Sequence, residues 1–241
     1  MELKSTAINN RRYLGNKYKL LPFITKVVNK NCHDINIFAD LFAGTGAVSS
    51  AFIDKTIIAN DILYSNYICN LAWFSSQKFD IGKLKSIITA YNSIQTNELN
   101  YMSENFANTF FSSEDCSKIG VVRENIEQQF NAGEINERER ALLITSLLYA
   151  MDKIANTCGH YDAYRQGVDF DKHLEMYYPN ASNENWLENF CYNEDEHAPY
   201  YVVLHFDKSK EIEMPKPPNL KQKINTYRAK IRPLSDFFGI N

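Results

Sequence analysis

The sequence predicts an α/β protein, in which a parallel β-sheet carries helices on both faces and a long insert is mainly helical. Three observations predict it. A short apolar run at 35–42, "INIFADLF", ends at a turn holding Gly44 and Gly46. A second run, "TIIAND" at 56–61, follows within about thirty residues, the span of a strand–helix–strand unit. From about residue 75 to 190 the chain turns polar, rich in Asn, Ser, Tyr and Phe, and shows helical spacing wherever a pattern is visible.

The elements follow in order. In "KYKLLPFITKVVNK" at 17–30, Leu20, Leu21, Ile24, Val27 and Val28 fall at helical spacing, and Pro22 is tolerable only in the first turn. Residues 35–42 have no helical period and are bounded by turn residues, so they read as a buried strand. "AVSSAFID" from Ala47 suits a helix and "TIIAND" a second strand, which together imply a parallel sheet. Near Asn136, "NERE" places Asn at a helix cap and Glu139 three residues on, a capping box. The apolar face that follows runs to a stop at "CGHYDAYRQG", where Gly159 is the breaker. "MPKPPNLKQK" in the tail reads as irregular. The expected division is 1–65 for the first sheet unit, 66–190 for the helical insert, and 191–241 for a return to the sheet and a divergent tail.

Composition narrows the function classes. The 241 residues are 44% hydrophobic, enough for a sizeable core. No apolar run reaches the length of a membrane span, and the first residues lack the apolar stretch of a signal peptide, so the expectation is a cytoplasmic protein with no membrane partner. The five cysteines are scattered without the close spacing of a zinc site; they read as reduced, mostly core thiols, and no metal is assigned. A net charge of −3 does not decide for or against nucleic acid, because phosphate contacts need only local Lys and Arg. Such density occurs at Arg11, Arg12, Lys17 and Lys19, and again between Lys208 and Arg232.

The glycine turn narrows the ligand. A phosphate-binding P-loop requires Gly-Lys-Ser/Thr, but Gly46 is followed by Ala47 and Val48. A dinucleotide fingerprint requires a third glycine where Ser49 stands. S-adenosylmethionine has no phosphate to clamp. It needs close backbone approach, which glycine permits, and a carboxylate for its ribose hydroxyls at the end of the next strand, where Asp61 lies.

With these residues in hand, the sequence resembles a known family. "RRYLGNKYKLLPFI" at 11–24, "FADLFAGTGAVS" at 38–49 and "ANDI" at 59–62 look like the N-terminal half of Dam-like (D12 class) adenine-N6-specific DNA methyltransferases. "NTCGHYDAYR" at 156–165 and "CYNED" at 191–195 resemble members from restriction–modification systems, so the likeness covers about residues 8–195. It implies a Rossmann-like methyltransferase fold, here with an incomplete sheet, and S-adenosylmethionine as cofactor. It also implies double-stranded DNA as substrate, with a restriction endonuclease as genetic partner only. Carried over residue by residue, the cofactor site comprises Tyr13, Gly15 and Lys17 in the first segment, Asp40, Phe42, Gly44 and Gly46 in the loop, Asp61 at the ribose, and Asp195.

Each residue has a plainer role beside this one. Lys17 can simply solvate the first turn of its helix. Asp40 can order the glycine turn as a strand-end cap, Phe42 can be core, and Asp61 can cap the following helix. His160 and Tyr161 read as structural or DNA-facing, since methyl transfer to an exocyclic amine does not need a base before attack. The insert has the side chains to contact phosphates and base edges, and such a family flips its target adenine out of the duplex.

The family's reaction centre, Asp-Pro-Pro-Tyr, does not occur in this sequence. "HAPY" at 197–200 sets His197 and Ala198 before Pro-Tyr, and "KPPN" at 216–219 offers Lys216, a donor where an acceptor for the adenine amine is required. The catalytic residues are therefore unassigned. Three explanations stand: a truncated product, a split enzyme whose second chain supplies the motif, or a divergent ending.

Overall fold

Both apolar runs become strands, and they lie side by side. The computed structural model describes residues 17–158, 161 and 163–178, and the backbone of 201–205. In chain order the elements are α1 (Leu21–Asn31), β1 (Ile37–Asp40), β2 (Thr56–Asp61), α2 (Tyr64–Phe74), α3 (Ile81–Asn92), α4 (Tyr101–Phe106), α5 (Ser113–Asn131), α6 (Glu137–Ile154) and β3 (Tyr201–His205). Single 3-10 turns occur at Tyr18–Leu20 and Ser49–Phe52. The result is a mixed α/β architecture with a small parallel sheet in the order β1-β2-β3. Register runs from Ile37↔Thr56 to Asp40↔Ala59, and from Ile57↔Tyr201 to Asp61↔His205.

Two sequence expectations are corrected. β1 is not buried: Ile37 and Ala39 are exposed, while Phe38 and Asp40 are half-buried. It stands at the edge of the described sheet, and only its inner face is covered, with Phe38 stacked on Phe52 at 4.2 Å. Among the described residues, helices therefore do not cover both faces of the sheet at β1. The segment after the glycine turn is one 3-10 turn rather than an α-helix. Ser50 N–H reaches the Gly46 carbonyl at 2.9 Å in α fashion, but Ala51 N–H closes on Val48 at 3.0 Å and the Ser50 hydroxyl donates to the Ala47 carbonyl. The glycine turn uses the first half of the connection, leaving no length for a regular helix. Among the described cysteines, Cys69 and Cys116 are buried and Cys32 and Cys158 are exposed, while Cys191 lies outside the described residues. Burial and the neighbouring Asp115 charge push the Cys116 thiol up to about 12, so it stays protonated and unreactive.

The core lies where α2 meets α6. α2 packs on β2, β3 and α6, and α6 packs also on α3 and α5. α6 is buried on every face from Arg138 to Asp152, not on one apolar face, because it has neighbours all round. Trp73 of α2 meets Tyr149 of α6 edge-on at 6.1 Å. Each fully buried large apolar side chain here contributes about 1.5–3 kcal/mol. The capping box forms as the sequence indicates: Glu139 N–H donates to Asn136 Oδ1 and Asn136 N–H to Glu139 Oε2. α6 ends at Ile154, ahead of Gly159.

Two buried arginines join the helices. Arg138, fully buried, donates to the carbonyls of Ala72 and Trp73 at the end of α2 and to that of Gln77, with its guanidinium 4.8 Å from the Phe79 ring. Arg140 holds Glu127 of α5 through Nε and Nη2 and reaches the Tyr64 hydroxyl of α2. Burial works against its charge, but these hydrogen bonds outweigh burial and raise its pKa. Past α6 the chain is strapped back across α3 and α5. Leu174 N–H donates to Asp115, Lys118 donates to the Leu174 and Asn92 carbonyls, and Asn92 pairs with the backbone of Met176 in both directions. No helix among the described residues is long and apolar enough to cross a membrane.

Candidate functional site

In a parallel sheet, ligands collect outside the carboxyl ends of the strands. Here β1 ends at Asp40 and the chain turns through Gly44 (φ 55°) and Gly46 (φ 84°), left-handed conformations that favour glycine. A Cβ on Gly46 would stand 2.8 Å from Asn70 Oδ1 and 2.9 Å from the Phe74 ring, so space as well as torsion requires glycine there. Ala43 N–H donates to the Asn60 carbonyl and Gly46 N–H to that of Ala43, which fixes the turn against β2.

Asp61 ends β2 and is only 7% exposed. Its Oδ2 accepts Gly44 N–H at 2.7 Å, and its Oδ1 accepts Leu63 N–H at 2.8 Å and the Asn66 amide at 3.1 Å. It thus steadies the entry to α2 through Leu63 N–H, but the helix cap is Leu63 itself and no side chain caps it, so Asp61 is not the helix cap; it also holds the glycine turn. A carboxylate offers about four acceptor positions, so one remains for a further donor.

Asp40 is half-buried and accepts the Ser49 hydroxyl at 3.1 Å. Burial raises its pKa above the usual carboxylate range. Ser49, the Lys17 charge and the Phe42 N–H pull against burial, and the Asp61 charge adds to it. An acid with a raised folded pKa favours the folded state most while protonated, and that contribution is lost as pH rises through the folded value. Asp40→Asn should remove this loss. Compared with wild type, its urea midpoint should gain progressively above about pH 4, where ordinary carboxylates ionise. Parallel midpoint curves between the two proteins would show that Asp40 does not titrate in this way.

Lys17 is exposed, accepts Leu20 N–H on its carbonyl, and places its charge within reach of Asp40. Phe42 is 76% exposed at the mouth of the turn, so the core alternative for it is excluded. Thus Lys17, Asp40, Phe42, Gly44, Gly46 and Asp61 cluster around one turn. Tyr13, Gly15 and Asp195 lie outside the described residues, as do His160, "HAPY", "KPPN" and the basic residues at 11–12 and 208–232. Tyr161 donates to Asp152 at 3.0 Å and packs on Phe110, which makes it structural. Sequence reasoning missed Ile62, exposed beside the turn, and Asn66 and Asn70 beneath it. The signal for the last two was two amides four residues apart in the otherwise apolar "YSNYICNLAWF".

Comparison of the sequence with known proteins gives the family. The family model for D12 class N6 adenine-specific DNA methyltransferases matches residues 13–202, and the chain belongs to that family. It is 35% identical over 171 residues to the modification methylase LlaI of Lactococcus lactis subsp. lactis, covering 64% of this chain and 27% of that protein. To the type II methyltransferase M.NlaIII of Neisseria lactamica it is 34% identical over 172 residues, covering 65% and 49%. To the type II methyltransferase M.FokI of Planomicrobium okeanokoites it is 29% identical over 204 residues, covering 76% and 31%. The chain therefore spans between about a quarter and a half of the length of these relatives. No solved structure matches.

Proposed function

We propose that this chain is the cofactor-binding and target-recognising part of a site-specific DNA adenine-N6 methyltransferase, the modification component of a type II restriction–modification system. The observation that carries the reading is the buried link from Asp61 to Gly44, at the carboxyl ends of two parallel strands and inside the region the family model matches. The residues fit S-adenosylmethionine, which when bound supplies the sulfonium methyl group. Gly44 and Gly46 leave room for close backbone approach, and Asp61 keeps one acceptor for a ribose hydroxyl. Exposed Phe42 and Ile62 give the mouth an apolar rim. Tyr13, Gly15, Lys17 and Asp195 complete the cofactor set, with Asp40 ordering the turn. The sheet unit, 1–65, is the start of a Rossmann-like fold; 66–190 faces double-stranded DNA, and 191–241 returns to the sheet. The setting is the cytoplasm.

The absence of Asp-Pro-Pro-Tyr from these 241 residues favours a second reading. The acid and aromatic that hold the flipped adenine then come from a further polypeptide segment or a second chain, and this chain alone binds cofactor or DNA without turning over.

Two measurements decide. Calorimetric titration with S-adenosylmethionine should show binding near one equivalent. Labelled cofactor with mixed-sequence DNA, followed by nucleoside analysis, should then yield N6-methyladenine. Binding without methylation selects the second reading; no binding removes the cofactor assignment altogether.

A further inference from the structure

We infer that Asn70 is the positioning residue of the glycine turn, acting on the cofactor through the backbone of Gly44. The inference rests on the cofactor reading above and extends it to a residue with no place in that set. Asn70 lies in the middle of α2 and is 1% exposed. Asparagine is a poor mid-helix residue, and a buried amide is costly unless its hydrogen bonds are made. Its Nδ2 donates to the Gly44 carbonyl at 3.0 Å and to the Asn66 carbonyl at 2.8 Å. Its Oδ1 has no hydrogen-bond partner among the described residues and faces Gly46. A residue chosen for stability alone would be apolar here. What the amide supplies is a grip on the Gly44 carbonyl, while Asp61 grips the N–H of the same residue. Asn66 ties the two grips together, donating to Asp61 and accepting from Asn70. The left-handed turn at Gly44 is thereby held before any ligand arrives, so binding does not have to order it.

Asn70→Ala should weaken S-adenosylmethionine binding by about tenfold, the value of a lost buried hydrogen bond together with turn ordering. It should also speed amide hydrogen exchange at Gly44 and Gly46 while α6 stays protected. Leu84→Ala, which opens the core under α3, serves as the stability control; it should lower the melting temperature yet leave cofactor affinity close to wild type. The proposal is overturned if Asn70→Ala binds like wild type, or loses no more affinity than Leu84→Ala. A wild-type protein that binds no S-adenosylmethionine is a different failure, that of the cofactor reading. The exchange rates at Gly44 and Gly46 then decide the clamp alone, and unchanged rates overturn it too.

Discussion

Asp61→Asn should cost about 3 kcal/mol of folding stability and weaken cofactor binding at the same time. The carboxylate accepts two backbone N–H groups on different oxygens, from Gly44 and Leu63, and a side-chain amide from Asn66. Asparagine keeps one acceptor and turns the other into a donor, which then faces a buried N–H. Either the glycine turn or the entry to α2 loses its anchor, whichever way the amide rotates. Urea denaturation reads the stability loss and calorimetry the affinity. Loss of affinity with unchanged stability would mean that the carboxylate serves only the ribose. Loss of stability with full affinity would mean that it serves only the fold.

Arg138→Leu should be worse, at roughly 4 kcal/mol, a large share of the 5–15 kcal/mol that holds a typical domain together. The guanidinium is buried and satisfies the carbonyls of Ala72, Trp73 and Gln77, where α2 ends and the chain turns toward α3. Leucine would fill most of the space but leave those acceptors without a donor, each costing about 1–3 kcal/mol. Arg138→Lys should recover only part, since a single ammonium cannot span the fork that reaches two successive helix carbonyls and a third beyond. A midpoint shift in urea worth less than 1 kcal/mol for Leu would show that water replaces the arginine at this helix end.

The contrast between Asp61 and Arg138 shows what the sequence carries. β2 was legible to the residue, because "TIIAND" is apolar, β-branched and bounded by turn residues. The capping box of α6 was legible because it is local in sequence. Gly44, Gly46 and Asp61 could be singled out by spacing, and the structure brings them together with Lys17, Asp40 and Phe42. The exposure of β1 was not legible, since how far a strand is covered depends on what lies beside it and not on its own residues. Arg138 was not singled out in the sequence, since its partners lie more than sixty residues earlier. Asn70 was hidden for the same reason: its significance is a carbonyl in a different element.

β2 and β3 are hydrogen-bonded neighbours, yet residues 62–200 are made between them. At a translation speed of about 5–20 residues per second, the ribosome needs roughly 7–28 s to bridge that interval. For that time the β3-facing side of β2 has no strand to pair with, while α2 to α6 can already pack against one another. During synthesis the helical bundle should therefore assemble first and serve as the template on which β3 docks.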